Sequence, residues 1–134
     1  MTEPMPLVLL VDDDIDFVEM NRHVLEARGY RVVAAHDPAE ALKLMADQPP
    51  DLVITDLMMR DLDSGFAFAR QIKENPATKK TPVIIITSVT SQLGFDFRPR
   101  TPEDLAAMHI DAYFDKPVAP SALLEKVKTL LEHR

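Results

Sequence analysis

Five short apolar runs, strung along the whole chain with helical patterns between them, restrict this sequence to very few architectures. They are LVLLVD at 7–12, RVVAAH at 31–36, DLVITD at 51–56, PVIIIT at 82–87 and AYFDK at 112–116. The runs are rich in β-branched residues and continuous rather than alternating, which suits strands covered on both faces. Strand and helix alternating five times over predict an α/β fold, a doubly wound parallel sheet with helices on both faces.

The helices announce themselves by caps and spacing. The first runs from about Ile15 to Arg28, with Phe17, Val18, Met20, Val24, Leu25 and Ala27 as its apolar stripe and Gly29 at its stop. In DPAE at 37–40, Asp37 caps, Pro38 takes the first helical position and Glu40 completes a capping box. SGFAFARQIKE offers Ser64 as a cap and sets Phe66, Ala69 and Ile72 on one side; TPED at 101–104 starts a short fourth helix. The last, PSALLEKVKTLLEHR, spaces Leu123, Leu124, Val127, Leu130 and Leu131 helically. The connection SVTSQLGFDFRPR, 88–100, is long for such a fold, and its Phe95 and Phe97 read as local packing over the fourth helix or as a docking feature.

A chain of 134 residues is the size of one domain. Its net charge of −7, with no basic run longer than Lys79–Lys80, argues against a nucleic-acid partner. There is no cysteine, so disulfides and thiolate metal sites are excluded. MTEPMP lacks the features of a signal peptide and no apolar run reaches membrane length, so a cytoplasmic protein without membrane insertion is expected.

In open parallel sheets, sites form outside the carboxyl ends of the strands. Here those ends carry Asp12, Asp13 and Asp14, then Asp56, Thr87 and Lys116. Each alone reads most simply as a cap, a solvated acid or a surface charge. Together, on one edge of one sheet, they exceed structural need. Carboxylates a few ångströms apart repel unless a proton or a cation relieves them. With oxygen-only donors and no histidine among them, a hard ion such as Mg²⁺ fits better than zinc. Lys116 adds a positive charge and Thr87 a hydroxyl, so Asp56 is a candidate nucleophile for an acyl phosphate.

These residues resemble the response-regulator receiver domain of two-component systems, including its single-domain chemotaxis members. The likeness rests on VLLVDDD, DLVITDLMM, PVIIITS and YFDKPV, in that order along nearly the whole chain. It implies the flavodoxin-like strand order 2-1-3-4-5 and a phosphoacceptor at Asp56. It further implies Mg²⁺ held by Asp12, Asp13, Asp56 and the backbone carbonyl of Met58. Thr87 and Lys116 would bind phosphate, Pro117 would follow the lysine through a bond that is often cis, and Tyr113 would turn inward when Thr87 engages. Asp14 is then the next acid along, a loop or cap residue.

The implied partners are a histidine kinase or phosphotransfer protein and a separate downstream target, the chain being a stand-alone receiver over 1–134 with no output domain. Arg60 stands where the family usually has proline, and Ser64, followed by Gly65, where it usually has glycine, so the loop after the third strand is altered. The resemblance also implies that Met58 and Val89 would flank the approach of a hydrolytic water; both are apolar and could not orient it, which predicts slow self-dephosphorylation.

Three rival readings compete with this expectation. A phosphorylation-independent interaction module is the strongest, but the intact acidic set gives it no support. A Mg²⁺-dependent phosphatase needs a general acid, and Met58 cannot serve while Asp14 lies off the nucleophile's loop. A flavin-binding domain of similar topology wants a Ser/Thr/Gly-rich phosphate loop where the acids stand.

Overall fold

The computed structural model describes residues 5–56, 64–88, 99 and 101–132, with Ser64 by its backbone alone. In chain order the elements are β1 (Leu7–Val11), α1 (Ile15–Glu26), β2 (Arg31–Ala35), α2 (Pro38–Asp47) and β3 (Leu52–Thr55). They continue with α3 (Ser64–Glu74), β4 (Val83–Thr87), α4 (Pro102–Ala107), β5 (Ala112–Asp115) and α5 (Pro120–Glu132). All strand pairings are parallel, and the order is β2-β1-β3-β4-β5, as expected. Each strand is one or two residues shorter than its apolar run, yet the tip residues Asp12, Asp56 and Lys116 still donate their N–H groups to the neighbouring strand.

The two-residue period of the strands divides the core in two. Leu9, Val11, Val53, Val83 and Ile85 face one side, where Ala41 and Met45 of α2 and Phe68, Ala69 and Ile72 of α3 cover them. Val8, Leu10, Leu52, Ile54, Ile84 and Ile86 face the other, under Phe17, Val18 and Leu25 of α1 and Leu123 and Val127 of α5. Phe68 and Leu9 are among the largest fully buried side chains, and burying one such group contributes about 1.5–3 kcal/mol.

The caps behave as their sequences require. The Asp37 side chain accepts from Glu40 N (2.8 Å), while Glu40 Oε1 accepts from His36 N (3.0 Å), one residue earlier than an ordinary capping box. Thr101 Oγ1 accepts from Asp104 N, and Gly29 sits at φ +90° after α1. The stripe of α1 differs from its spacing: Met20 and Ala27 are exposed, and Asn21 is buried instead. Asn21 tolerates burial because its Nδ2 donates to Phe17 O at 2.8 Å.

Two aspartates at the opposite edge of the sheet bind strands together. Asp51 Oδ2 accepts from Leu7 N (2.7 Å) and Asp111 Oδ2 from Val83 N (2.8 Å), so each caps a neighbouring strand's first free N–H. Lys73 Nζ adds an ion pair to Asp111 at 2.8 Å and a hydrogen bond to Thr81 O at 2.9 Å. No helix among the described residues is long and apolar enough to cross a membrane.

Candidate functional site

The strand register decides which acids meet. Val11 pairs with both Ala35 and Thr55, so the residues one step on, Asp12 and Asp56, leave adjacent strands side by side. Both stay tied to the ladder: Asp12 N donates to Ala35 O (3.1 Å) and Asp56 N to Val11 O (3.0 Å). Across the sheet Thr87 pairs with Asp115, and Lys116 N donates to Thr87 O at 2.9 Å. Backbone hydrogen bonds therefore fix three of the site's residues beyond the formal strand ends. The peptide bond between Lys116 and Pro117 is cis.

The carboxylates converge. One oxygen each of Asp12, Asp13 and Asp56 lies within 4.8 Å of the others; Asp12 and Asp56 are buried and Asp13 is exposed. Lys116 Nζ lies 2.9 Å from Asp12 Oδ2 and 3.5 Å from Asp56 Oδ2, with its side chain only 16% exposed. Three carboxylates against one ammonium leave an excess of negative charge, and oxygen donors alone suit a hard divalent ion. Asp14 stands outside that group: its carboxylate caps α1 by accepting from Phe17 N at 3.2 Å, and its N–H donates to Asp12 Oδ1 at 2.9 Å.

The electrostatics register the same imbalance. Burial pushes the Asp12 carboxyl up from its ordinary 3.8 to about 6; the hydrogen bonds from Lys116 and from the Asp14 backbone oppose this, and the charge of Asp56 reinforces it. Burial alone would lower the Lys116 ammonium, but the hydrogen bond to Asp12 and the charges of Asp56, Asp12 and Asp14 leave it raised. At neutral pH the lysine is charged and the aspartate is strained by its own ionisation. An added cation would relieve that strain.

Thr87 is buried at the end of β4, and Tyr113 is half-buried as the second residue of β5. Strand parity sets both on the α3/α4 side of the sheet, whereas Asp12, Asp56 and Lys116 share the parity of the α1/α5 side. Met58, Arg60, Val89, Phe95 and Phe97 lie outside the described residues.

One participant was missed from sequence. Phe17, assigned only to the core stripe, carries the Lys116 ammonium over its ring at 4.2 Å from the centroid. No spacing rule connects positions 99 residues apart; only its place three residues after the capping Asp14 hinted that it sits beside the site.

A model of the response regulator receiver domain matches residues 8–128. The chain belongs to that family. Among curated relatives of this receiver domain, response regulator MprA of Mycobacterium ulcerans is 33% identical over 126 residues, covering 92% of this chain and 49% of that protein. A probable cyclic di-GMP phosphodiesterase of Vibrio cholerae is 35% identical over 131 residues, 95% of this chain but 27% of the relative. The chain thus spans no more than half the length of these two relatives.

Solved structures agree on the fold. Chemotaxis response regulator CheY4 of Vibrio cholerae superposes with a TM-score of 0.78 at 28% identity, covering 94% of this chain and 98% of the other. The signal receiver domain of a signal transduction histidine kinase from Syntrophus aciditrophicus gives 0.77 at 28% identity, covering 96% and 91%. Receivers are signalling modules that generally bind Mg²⁺ at an acidic pocket, and this chain carries a cluster of aspartates.

Proposed function

We propose that Asp56 is the phosphoacceptor of this receiver, taking a phosphoryl group from the phosphohistidine of a histidine kinase or phosphotransfer protein. A carboxylate oxygen of Asp56 attacks phosphorus, the P–N bond to the donor imidazole breaks, and an acyl phosphate forms. Asp12, Asp13, Asp56 and the Met58 carbonyl would hold Mg²⁺, which when bound offsets the charge of the acids and of the incoming phosphoryl oxygens. Lys116 stands ready to pair with a phosphoryl oxygen, being already charged and aimed between Asp12 and Asp56.

The observation that carries this reading is the convergence of three carboxylates and one lysine on a single point of a receiver fold. The output would be a shift in surface shape: Thr87 engages the phosphoryl group and Tyr113, on the neighbouring strand and the same face, moves into the space released. A separate downstream protein would then read the surface built from α4, β5 and α5. The acidic balance of the chain disfavours nucleic acid as the direct target, and the reading suits a cytoplasmic phosphoprotein.

Labelling with acetyl phosphate, or with a phosphorylated histidine kinase, tests the proposal. Wild type should take up one phosphoryl group in Mg²⁺ and none in chelator, and Asp56→Asn should take up none. Equal labelling of Asp56→Asn would assign the chemistry elsewhere. Failure of wild type to bind beryllofluoride in Mg²⁺ would instead favour a phosphorylation-independent module.

A further inference from the structure

The first turn of α1 is closed onto the acidic pocket by a continuous circuit of contacts. Asp14 N donates to Asp12 Oδ1 (2.9 Å), and Phe17 N donates to Asp14 Oδ1 (3.2 Å). The Phe17 ring lies 4.2 Å from Lys116 Nζ, and that ammonium returns to Asp12 Oδ2 at 2.9 Å. Asn21 Nδ2 holds the Phe17 carbonyl one turn further along. The phenylalanine is anchored at both its N–H and its C=O, and its side chain is buried in the core between α1 and the sheet.

We propose that Phe17 is the positioning residue of Lys116. A lysine side chain has four rotatable bonds and a strongly hydrated head, so an ammonium that must meet an incoming phosphoryl oxygen loses much freedom when it is held. Here the carboxylates draw the ammonium from one side. The electron-rich face of the ring supports it from the other and keeps water off that side. The ring confines the charge to the gap between Asp12 and Asp56 without forming a hydrogen bond that the phosphoryl group would have to break. A second acid in the ring's place would hold the lysine harder and compete with phosphate; leucine would leave it free to swing.

This inference deepens the phosphoacceptor reading and rests on it for its kinetic arm alone. The test compares wild type, Phe17→Leu and Phe17→Tyr. In ¹H–¹³C NMR spectra recorded without any phosphodonor, the Lys116 ε-methylene signal, assigned by its loss in Lys116→Met, should lie upfield of the other lysines. That shift should vanish in Phe17→Leu and persist in Phe17→Tyr. Phosphorylation by acetyl phosphate should slow roughly three- to thirty-fold in Phe17→Leu, the range expected of one partly desolvated cation–π contact. Phe17→Tyr should recover most of the rate, and apparent Mg²⁺ affinity should stay within about twofold throughout, because the ring acts on the Lys116 ammonium.

An unshifted Lys116 signal in wild type overturns the proposal, and this measurement does not require the leucine variant to fold. A folded Phe17→Leu with the wild-type rate, or a Phe17→Tyr as slow as Phe17→Leu, overturns it as well. A wild type that shows the ring-shifted lysine but takes no phosphoryl group refutes the phosphoacceptor reading and leaves the positioning intact.

Discussion

Replacing Asp12 by asparagine should make the metal-free protein more stable at pH 8. Asp12 is 1% exposed, and its burial, only partly offset by Lys116, raises its carboxyl from 3.8 to about 6. The linkage sign follows: a raised carboxyl favours the folded state while protonated, in full below about pH 3.8, and the contribution is lost as pH rises through about 6. Above that, the shift of about two units corresponds to about 3 kcal/mol of destabilisation at 1.36 kcal/mol per unit. Asparagine never ionises and can still accept from Asp14 N, but Lys116 then exchanges its 2.9 Å ion pair with Asp12 for the longer one with Asp56, at 3.5 Å. That loss returns part of the gain, leaving Asp12→Asn ahead by about 1–2 kcal/mol, or about 3–8 °C in melting temperature for a domain of this size.

Urea or thermal unfolding in chelator, followed by far-ultraviolet circular dichroism at pH 4.5 and pH 8, reads the difference directly. The advantage of Asp12→Asn should be present at pH 8 and largely gone at pH 4.5, where wild-type Asp12 is protonated. Adding Mg²⁺ should reverse the ranking at pH 8. Wild type should gain about 2.7 kcal/mol when the ion stands at a hundred times its dissociation constant, and the variant little. An Asp12→Asn protein that is less stable than wild type in chelator at pH 8, or a gap independent of pH, refutes the view that the pocket is an acid cluster awaiting a cation.

Two further outcomes are expected. Asp111→Ala should destabilise the fold by about 2–3 kcal/mol in urea titration, since it frees the buried-edge Val83 N–H and leaves Lys73 without its carboxylate; an effect below about 0.5 kcal/mol would show that water replaces both contacts. The aspartyl phosphate should persist for minutes or longer in Mg²⁺, because Met58 and Val89 cannot orient an attacking water; phosphate release with a half-life of seconds would refute this.

The architecture was legible because its signals are local. Continuous β-branched runs between capped helical segments have one economical solution, and the caps at Asp37 and Thr101 act where they stand. The convergence of Asp12, Asp13, Asp56 and Lys116 was legible, since strand tips in such sheets share an edge. What escaped depended on side-chain direction across long sequence separations. Spacing alone placed Met20 inside α1's stripe, yet Met20 is exposed and Asn21 is buried, its amide donating to the Phe17 carbonyl. Asp51 read as a strand start and Asp111 lay just before one, and nothing local shows that their carboxylates reach the first N–H of a neighbouring strand. Phe17 looked like any core aromatic, because its second task is defined by a lysine 99 residues away.

Parity also explains how one site could both hold a phosphoryl group and report it. Asp12, Asp56 and Lys116 share the α1/α5 side and are fixed by ladder hydrogen bonds, by the cap at Asp14 and by the ring of Phe17. That half resembles a rigid anvil, suited to positioning charge. Thr87 and Tyr113 belong by parity to the other side, where α4, a helix of 6 residues, buries none of its own side chains fully. Leu105, and Met108 just beyond the helix, only rest partly buried on the core there, so among the described residues displacing α4 forfeits little apolar contact. In the proposed switch the rigid half sets the phosphoryl group and the lightly held half moves in response. A pull on Thr87 of even modest strength can then shift the population of α4 arrangements, whereas the same pull on α1 would have to break a closed circuit.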